Sequence, residues 1–218
     1  PTGTFKDRGQ SAAMTAAREH GASEVALNSA GNAGQAAAAY AARADLDAHV
    51  FLPSRAGFTQ KAMTEVHGAD LTVTDPVDGN SQIGDAGKAY AEAMDDHPEW
   101  YSTKTFVTPY RHEGKKTMAL ELLAQLDWNP PDAVVYPTGG GVGLVGMHKA
   151  AREAQKLGWT DELVPMYAAQ AAGCAPVVDA YESGAERHEP LADDEVDTAC
   201  NGIAIPDPGA SGLILEAI

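Results

Sequence analysis

Apolar residues along this chain fall into two alternating spacings. Short runs rich in Val, Leu and aromatic residues read as strands: EVALNS at 24–29, AHVFLP at 48–53, DLTVTD at 70–75, WYSTK at 100–104, DAVVYP at 132–137 and VPMYAAQ at 164–170. Each is followed by a longer stretch with helical spacing, at 32–44, 59–68, 81–94, 111–126, 143–157 and 175–184. A further helix opens at Lys6, and GLILEAI closes the chain in another. Strand–helix alternation of this kind predicts α/β architecture: parallel twisted sheets, right-handed crossovers and helices on both faces. The loosest stretch is SGAERHEPLADDEVD at 183–197, charged and broken by Pro190, which reads as a surface excursion.

Ligands of open α/β sheets bind beyond the carboxyl ends of the strands. Two turns at those ends are unusual. SAGNAG at 29–34 carries Gly31 and Gly34, which let backbone amides face outward at a helix N-terminus, and Asn32 adds a side-chain amide. An ordinary βα turn capped by Asn32 is the plainer reading of the same residues. PTGGGVGLVG at 137–146 has three successive glycines, which allow a nest of N–H groups to wrap an anion. Gly141-x-Gly143-x-x-Gly146 also fits the dinucleotide fingerprint. That fingerprint expects an acid at the end of the next strand, where this chain has Ala169-Gln170, and it expects the first βα unit. An oxidoreductase is therefore the weakest reading. A Walker loop is excluded, because no Gly-Lys-Ser/Thr follows.

The third feature is Lys6, in PTGTFKDRG. A lysine at a helix N-terminus is disfavoured by the macrodipole. It is either a solvated surface cation or an amine kept neutral, and a neutral amine is a nucleophile towards aldehydes. A lysine, an Asn-bearing anion loop and a glycine loop are together what a pyridoxal phosphate site needs.

PTGTFKDRG, SAGNAG, TPYRHEGKKTMALEL, PTGGGVGLVGMHKA and YAAQAAGCAPVVDAY resemble the fold-type II pyridoxal phosphate enzymes, of tryptophan synthase β-like architecture. Within them the chain is most similar to threonine synthase and its archaeal relatives. The resemblance implies that Lys6 is the Schiff-base lysine and proton shuttle. It implies that Asn32 bonds the ring hydroxyl, and that Gly139, Gly140, Gly141, Val142 and Gly143 hold the cofactor phosphate. Ser29, Ala30, Gly31, Asn32 and Ala33 would face the substrate, and Arg111 would grip its phosphate. It implies a smaller domain at 23–110 and a larger, cofactor-binding one made of 1–22 plus 111–218. Both terminal segments of the family are lacking: the chain begins on a motif at Pro1 and reads as a piece of a longer protein, a piece not expected to need activity of its own. The activity implied is a lyase that turns O-phosphohomoserine into threonine. Serine/threonine dehydration, cysteine-synthase-like β-replacement and a non-catalytic binding module for pyridoxal phosphate or an amino acid are the alternatives. Two departures bear on the choice. Ala33 stands where the family often has Thr, and Thr105 and Thr108 stand where many threonine synthases have asparagines.

Composition narrows the partners. Lys+Arg is 15 and Asp+Glu is 31 in 218 residues, a net charge of −16. That balance argues against nucleic acid, and its spread along the chain is a halophile device, pointing to a halophilic source, which the resemblance to archaeal relatives would make an archaeal one. No apolar run nears the ~18 residues of a membrane span. Cys174 and Cys200 form no CxxC, which favours a reducing, cytoplasmic home. No metal site is expected; ERHE at 186–189 reads as a solvated loop and Cys174 as part of a buried turn. A small amino acid is the expected partner, and a homodimer is allowed.

Overall fold

In the computed structural model, residues 1–29, 31–74 and 83–218 are described. The chain divides into two compact units, Pro1–Gly114 and Lys115–Ile218. The grouping inferred from the resemblance instead separates 1–22 from 23–110.

In the first unit, β1 (Glu24–Asn28), β2 (Asp47–Pro53), β3 (Asp70–Thr74) and β4 (Tyr101–Ser102) form one parallel sheet, ordered β3-β2-β1-β4. Its connections run through α2 (Asn32–Ala44), α3 (Phe58–Val66) and α4 (Ile83–Asp96), and α1 (Lys6–Glu19) precedes it. The period of two along the strands decides which helix packs where. Val25, Leu27, Val50 and Leu52 join Met14 and Ala17 of α1 and Ala37 and Ala41 of α2 in one core. Ala26 and Phe51, pointing the other way, join Ala86 and Tyr90 of α4 in a second. β1 and β2 are buried on both faces, as parallel strands between helix layers are. The alanines of α2 let it lie close to the sheet. At Gly34 the fit is close, since a Cβ there would stand 2.8 Å from Val50 Cγ1.

In the second unit, β5 (Val134–Pro137) and β6 (Met166–Ala169) pair in parallel, with Val134 opposite Met166. Leu144, Met147 and Ala150 of α6 (Val142–Lys156) pack with Val177 of α7 (Pro176–Ser183) and Ile214 of α8 (Ser211–Ala217). α5 (Tyr110–Gln125) runs across the boundary between the units.

The α/β class and the parallel pairing agree with the sequence pattern. The strands form a sheet of four and a sheet of two. The run 100–104 contributes only Tyr101–Ser102 as strand. Thr103 still donates to Ala26 O at 2.9 Å, but the Lys104 N–H then turns to Ser102 Oγ and Phe106 sits at φ 62°. Asp75, Ser81 and Gln82, ends of an expected strand and helix, lie outside the described residues. Among the described residues, no helix is long and apolar enough to cross a membrane.

Candidate active site

PTGTFKD folds back on itself. The Thr2 N–H and hydroxyl donate to the two carboxylate oxygens of Asp7, at 3.0 and 2.5 Å, and the Asp7 N–H donates to Thr4 O. This closed turn delivers Lys6 at the first position of α1. Lys6 keeps part of its surface exposed, yet its ammonium pKa falls to about 8. Burial is the larger cause and the charge of Arg111 the second. Neighbouring atoms and a second cation thus lower the pKa, at a helix terminus that also disfavours a cation.

Arg111 is not a surface side chain. It is 1% exposed, one guanidinium nitrogen donates to Thr103 O at 2.7 Å, and Nε has no hydrogen-bond partner. Burial lowers its pKa to about 10, which leaves it a cation at neutral pH. Thr103 follows β4 and bonds to Ala26 of β1, so Arg111 is tied to the carboxyl end of the sheet. A buried guanidinium with an unused donor is suited to an anion with two oxygens.

The SAGNAG loop lies at the same end. Ser29, buried, accepts from the N–H groups of Gly31 and Gly34 at 3.0 and 3.1 Å. Its hydroxyl therefore latches the first turn of α2. Asn32 and Ala33 are the first two residues of that helix, whose N–H groups have no intrahelical acceptor. Asn32 is exposed, and its Oδ1 accepts from Gln60 Nε2 at 3.5 Å, so its own amide nitrogen points its donors elsewhere. Gly31 is the N-cap and lies against Gln60. Ala30 lies outside the described residues.

Sequence reasoning missed Gln10. It is fully buried, one helical turn beyond Lys6 on the same face of α1, and its Nε2 donates to Ala33 O at 3.3 Å. It thus couples the lysine helix to the SAGNAG loop. Its i, i+4 spacing from Lys6 places it on that face but does not by itself mark it, since an uncharged helical residue gives no sign of its partner. Gln10 Oε1, like Arg111 Nε, is buried without a partner.

The glycine loop belongs to the second unit. Gly141 is the N-cap of α6 at φ 73°, a left-handed conformation, and no side chain caps this helix end. The first helical bond runs from Val145 N–H to Gly141 O, so the amides of Val142, Gly143 and Leu144 have no acceptor within the helix. A Cβ at Gly141 would meet the Ile214 side chain, one at Gly143 the Tyr136 hydroxyl, and one at Gly139 the Ile203 backbone at 3.0 Å. At Gly140 it would meet nothing. The glycines therefore divide into three that the protein itself crowds and one that faces open space. An uncapped helix end with an open glycine beside it fits a phosphate. A lysine with lowered pKa fits an aldehyde.

Other constellations serve the fold. His188 bonds Ser211 Oγ through Nδ1 at 2.7 Å and Asp207 through Nε2 at 3.0 Å, which pins the 183–197 excursion. Among the described residues, no group of His, Cys, Asp and Glu is placed to hold a metal. Cys174 is buried in a turn, its N–H bonded to Ala171 O, and burial raises its thiol pKa. It lacks the depressed pKa of a nucleophile.

The chain is similar to known proteins. The chain is 35% identical over 219 residues to the threonine synthase of Methanosarcina acetivorans, covering 100% of this chain and 52% of that protein. It is 37% identical over 179 residues to the threonine synthase of Mycobacterium tuberculosis, covering 82% of this chain and 48% of that one. It thus spans about half the length of these curated relatives. The solved structure of maize serine racemase superposes with a TM-score of 0.76 at 21% identity, over 94% of this chain and 57% of that one, a likeness of fold. The family model described as pyridoxal-phosphate dependent enzyme matches residues 1–218, the whole length that holds the lysine turn, the SAGNAG loop and the glycine loop, and the chain belongs to that family.

Proposed function

We propose that the full-length protein is a threonine synthase, which converts O-phosphohomoserine and water to threonine and phosphate. The observation that carries this is Arg111: a buried cation with an unmet donor, close enough to Lys6 to lower its pKa. Relatives at 32–37% identity with that name support it.

Bound pyridoxal phosphate supplies an electron sink for the carbons of the amino acid. In this reading the chain's own groups do the rest. Lys6, with a pKa near 8, is neutral in a useful fraction of molecules near pH 7, so it serves as the attachment point and then as a base for the α-proton. Gly139, Gly140, Gly141, Val142 and Gly143 offer backbone amides to the cofactor phosphate. Asn32 donates to the ring hydroxyl. Gly31, Asn32 and Ala33 present the helix end to the substrate carboxylate, Ser29 holds that turn in shape, and Ala30 completes the loop. Arg111 takes the substrate phosphate and draws it off as it leaves.

Ala33 favours a second reading. Without a hydroxyl at this position, the grip on a substrate phosphate is weaker, and serine/threonine dehydration needs no such grip. A pair of steady-state assays on the full-length enzyme, with O-phosphohomoserine and with L-threonine, separates the two. Arg111→Ala should reduce kcat/KM for the phosphorylated substrate by about 30- to 150-fold, the size of a lost charged contact of 2–3 kcal/mol. Threonine deamination should change little. Threonine turnover without phosphohomoserine turnover, equal in both proteins, would establish the dehydratase instead. Circular dichroism of the variant must match the wild type, because Arg111 is buried.

By the same resemblance, 23–110 forms the smaller domain of the whole protein and 1–22 plus 111–218 part of the larger. We place the enzyme in the cytoplasm of a halophilic archaeon, acting on a small amino acid, with a homodimer allowed; the −16 charge supports the high-salt source and the family supports the amino-acid substrate.

A further inference from the structure

Gln170 follows the last residue of β6. A dinucleotide-binding fold would have an acid here, which only accepts; a glutamine amide both donates and accepts. Both halves are in use. Oε1 accepts from the N–H groups of Val177 and Val178, at 2.9 and 3.1 Å. These lie in the first turn of α7, whose N-cap Ala175 has no side chain to satisfy them. Nε2 donates to Thr138 O at 3.2 Å. Thr138 is fully buried and immediately precedes the glycine loop. It also donates its N–H to Ala169 O and its hydroxyl to Tyr136 O, each at 2.8 Å.

The peptide joining Thr138 to Gly139 is planar and trans, as are all described peptides of the chain. Its carbonyl and its N–H therefore point in opposite directions. Holding Thr138 O against Gln170 fixes where the Gly139 N–H points, on the side away from Gln170. The same side chain anchors α7, so one amide sets both the entry of the loop and the helix beside it.

We propose that Gln170 is a positioning residue for the phosphate-binding loop: its Nε2–Thr138 bond orients the Thr138–Gly139 peptide so that the first loop amide faces the cofactor phosphate. The inference rests on the reading that residues 139–143 take that phosphate.

The test uses the full-length protein and two probes, pyridoxal phosphate and pyridoxal, which lacks the phosphate. Gln170→Met removes both hydrogen-bonding halves at similar volume. Gln170→Glu keeps the acceptor for α7 and loses the donor to Thr138, so it covers the case in which the Met variant does not fold. Each should weaken pyridoxal phosphate about tenfold, the scale of one lost hydrogen bond, and leave pyridoxal unchanged. A merely structural role would weaken both probes alike and would overturn the proposal. Gly140→Val is the control for the underlying reading, since it fills the open side of the loop. If Gly140→Val lowers the preference for the phosphorylated probe and both Gln170 variants keep it, Gln170 does not position the loop. If all three keep it, the loop does not hold the phosphate and both readings fall.

Discussion

An ammonium group loses hydration when other atoms close around it, and a second cation nearby adds to the loss. Lys6 experiences both, and its pKa drops from 10.5 to about 8. The shift has two measurable consequences. The first concerns reactivity. Attachment of pyridoxal phosphate needs the neutral amine, so its rate should rise with pH to a midpoint near 8, against about 10.4 for an exposed lysine. Lys6→Ala should abolish the visible absorption band of lysine-bound cofactor while the fold survives; persistence of the band would place the attachment on another lysine. The second concerns stability. Below pH 8 the lysine is charged in both folded and unfolded chains, and the folded state bears the full desolvation penalty. The penalty fades between pH 8 and 10.5, where the unfolded lysine alone stays protonated, and is gone above that. Lys6→Met should therefore melt higher than the wild type at pH 7, with the gain vanishing above pH 10.5. Equal melting at pH 7 would mean that burial of Lys6 does not burden the fold. At this scale the sequence named Lys6 and Arg111 but not their coupling. The two are 105 positions apart, and only the return of the chain through β4 to the carboxyl end of β1 ties Arg111 there. Gln10 escaped notice for another reason: an uncharged residue in a helix carries no chemical signal until its partner, Ala33 O, is known.

At the scale of elements, the glycine loop and α6 act as one device. Gly141 lets the chain turn left-handed into α6 against Ile214, and Gly140 leaves room in front of the helix end. The two positions should respond to the same substitution in opposite ways. A Cβ at Gly140 meets no protein atom within 4 Å, so with Gly140→Val melting should move little while cofactor affinity falls at least about tenfold, or about 1.4 kcal/mol. Gly141→Val forces a β-branched residue into positive φ and against Ile214, so it should destabilise the fold by roughly 1–3 kcal/mol before any ligand is added. Unfolding titrations with and without pyridoxal phosphate read both. If Gly140→Val bound the cofactor normally, the open side of the loop would not be the phosphate site. The elements themselves were legible where period and length agreed. α2 and α6 appear within a residue of their expected bounds, because their apolar stripes and glycine starts are unambiguous. β4 was overestimated, because Thr and Lys residues compatible with a strand cannot reveal that Ser102 captures the Lys104 N–H and ends the ladder. Nor does the pattern tell a sheet of six from sheets of four and two, since strand order is a matter of pairing across the chain.

Across the whole molecule, charge is the dominant unbalanced term. Asp45, Asp47, Asp95, Asp96, Asp194 and Glu195 all lie exposed, as their spread in the sequence suggested. Exposed ion pairs such as Arg152–Glu216, at 3.4 Å, hold individual acids but are worth only about 0–1 kcal/mol each. They leave the net −16 to repel itself. Salt acts on both terms: it weakens the pairs and screens the repulsion. The repulsion has many partners at distances beyond one contact, so screening removes more of it than of the pairs. At ~0.1 M salt the screening length is about 10 Å, and above ~1 M it falls to about 3 Å. The folded chain concentrates the charge and the unfolded chain disperses it, so screening favours the folded state. Melting temperature should thus rise as potassium chloride goes from ~0.1 M to above ~1 M. Sodium sulfate at equal ionic strength should stabilise further, through stronger apolar burial rather than screening. The comparison of the two salts separates charge from the hydrophobic term. A melting temperature that stays flat in potassium chloride but rises in sulfate would leave the acids as a solubility device and remove the inference of a high-salt source.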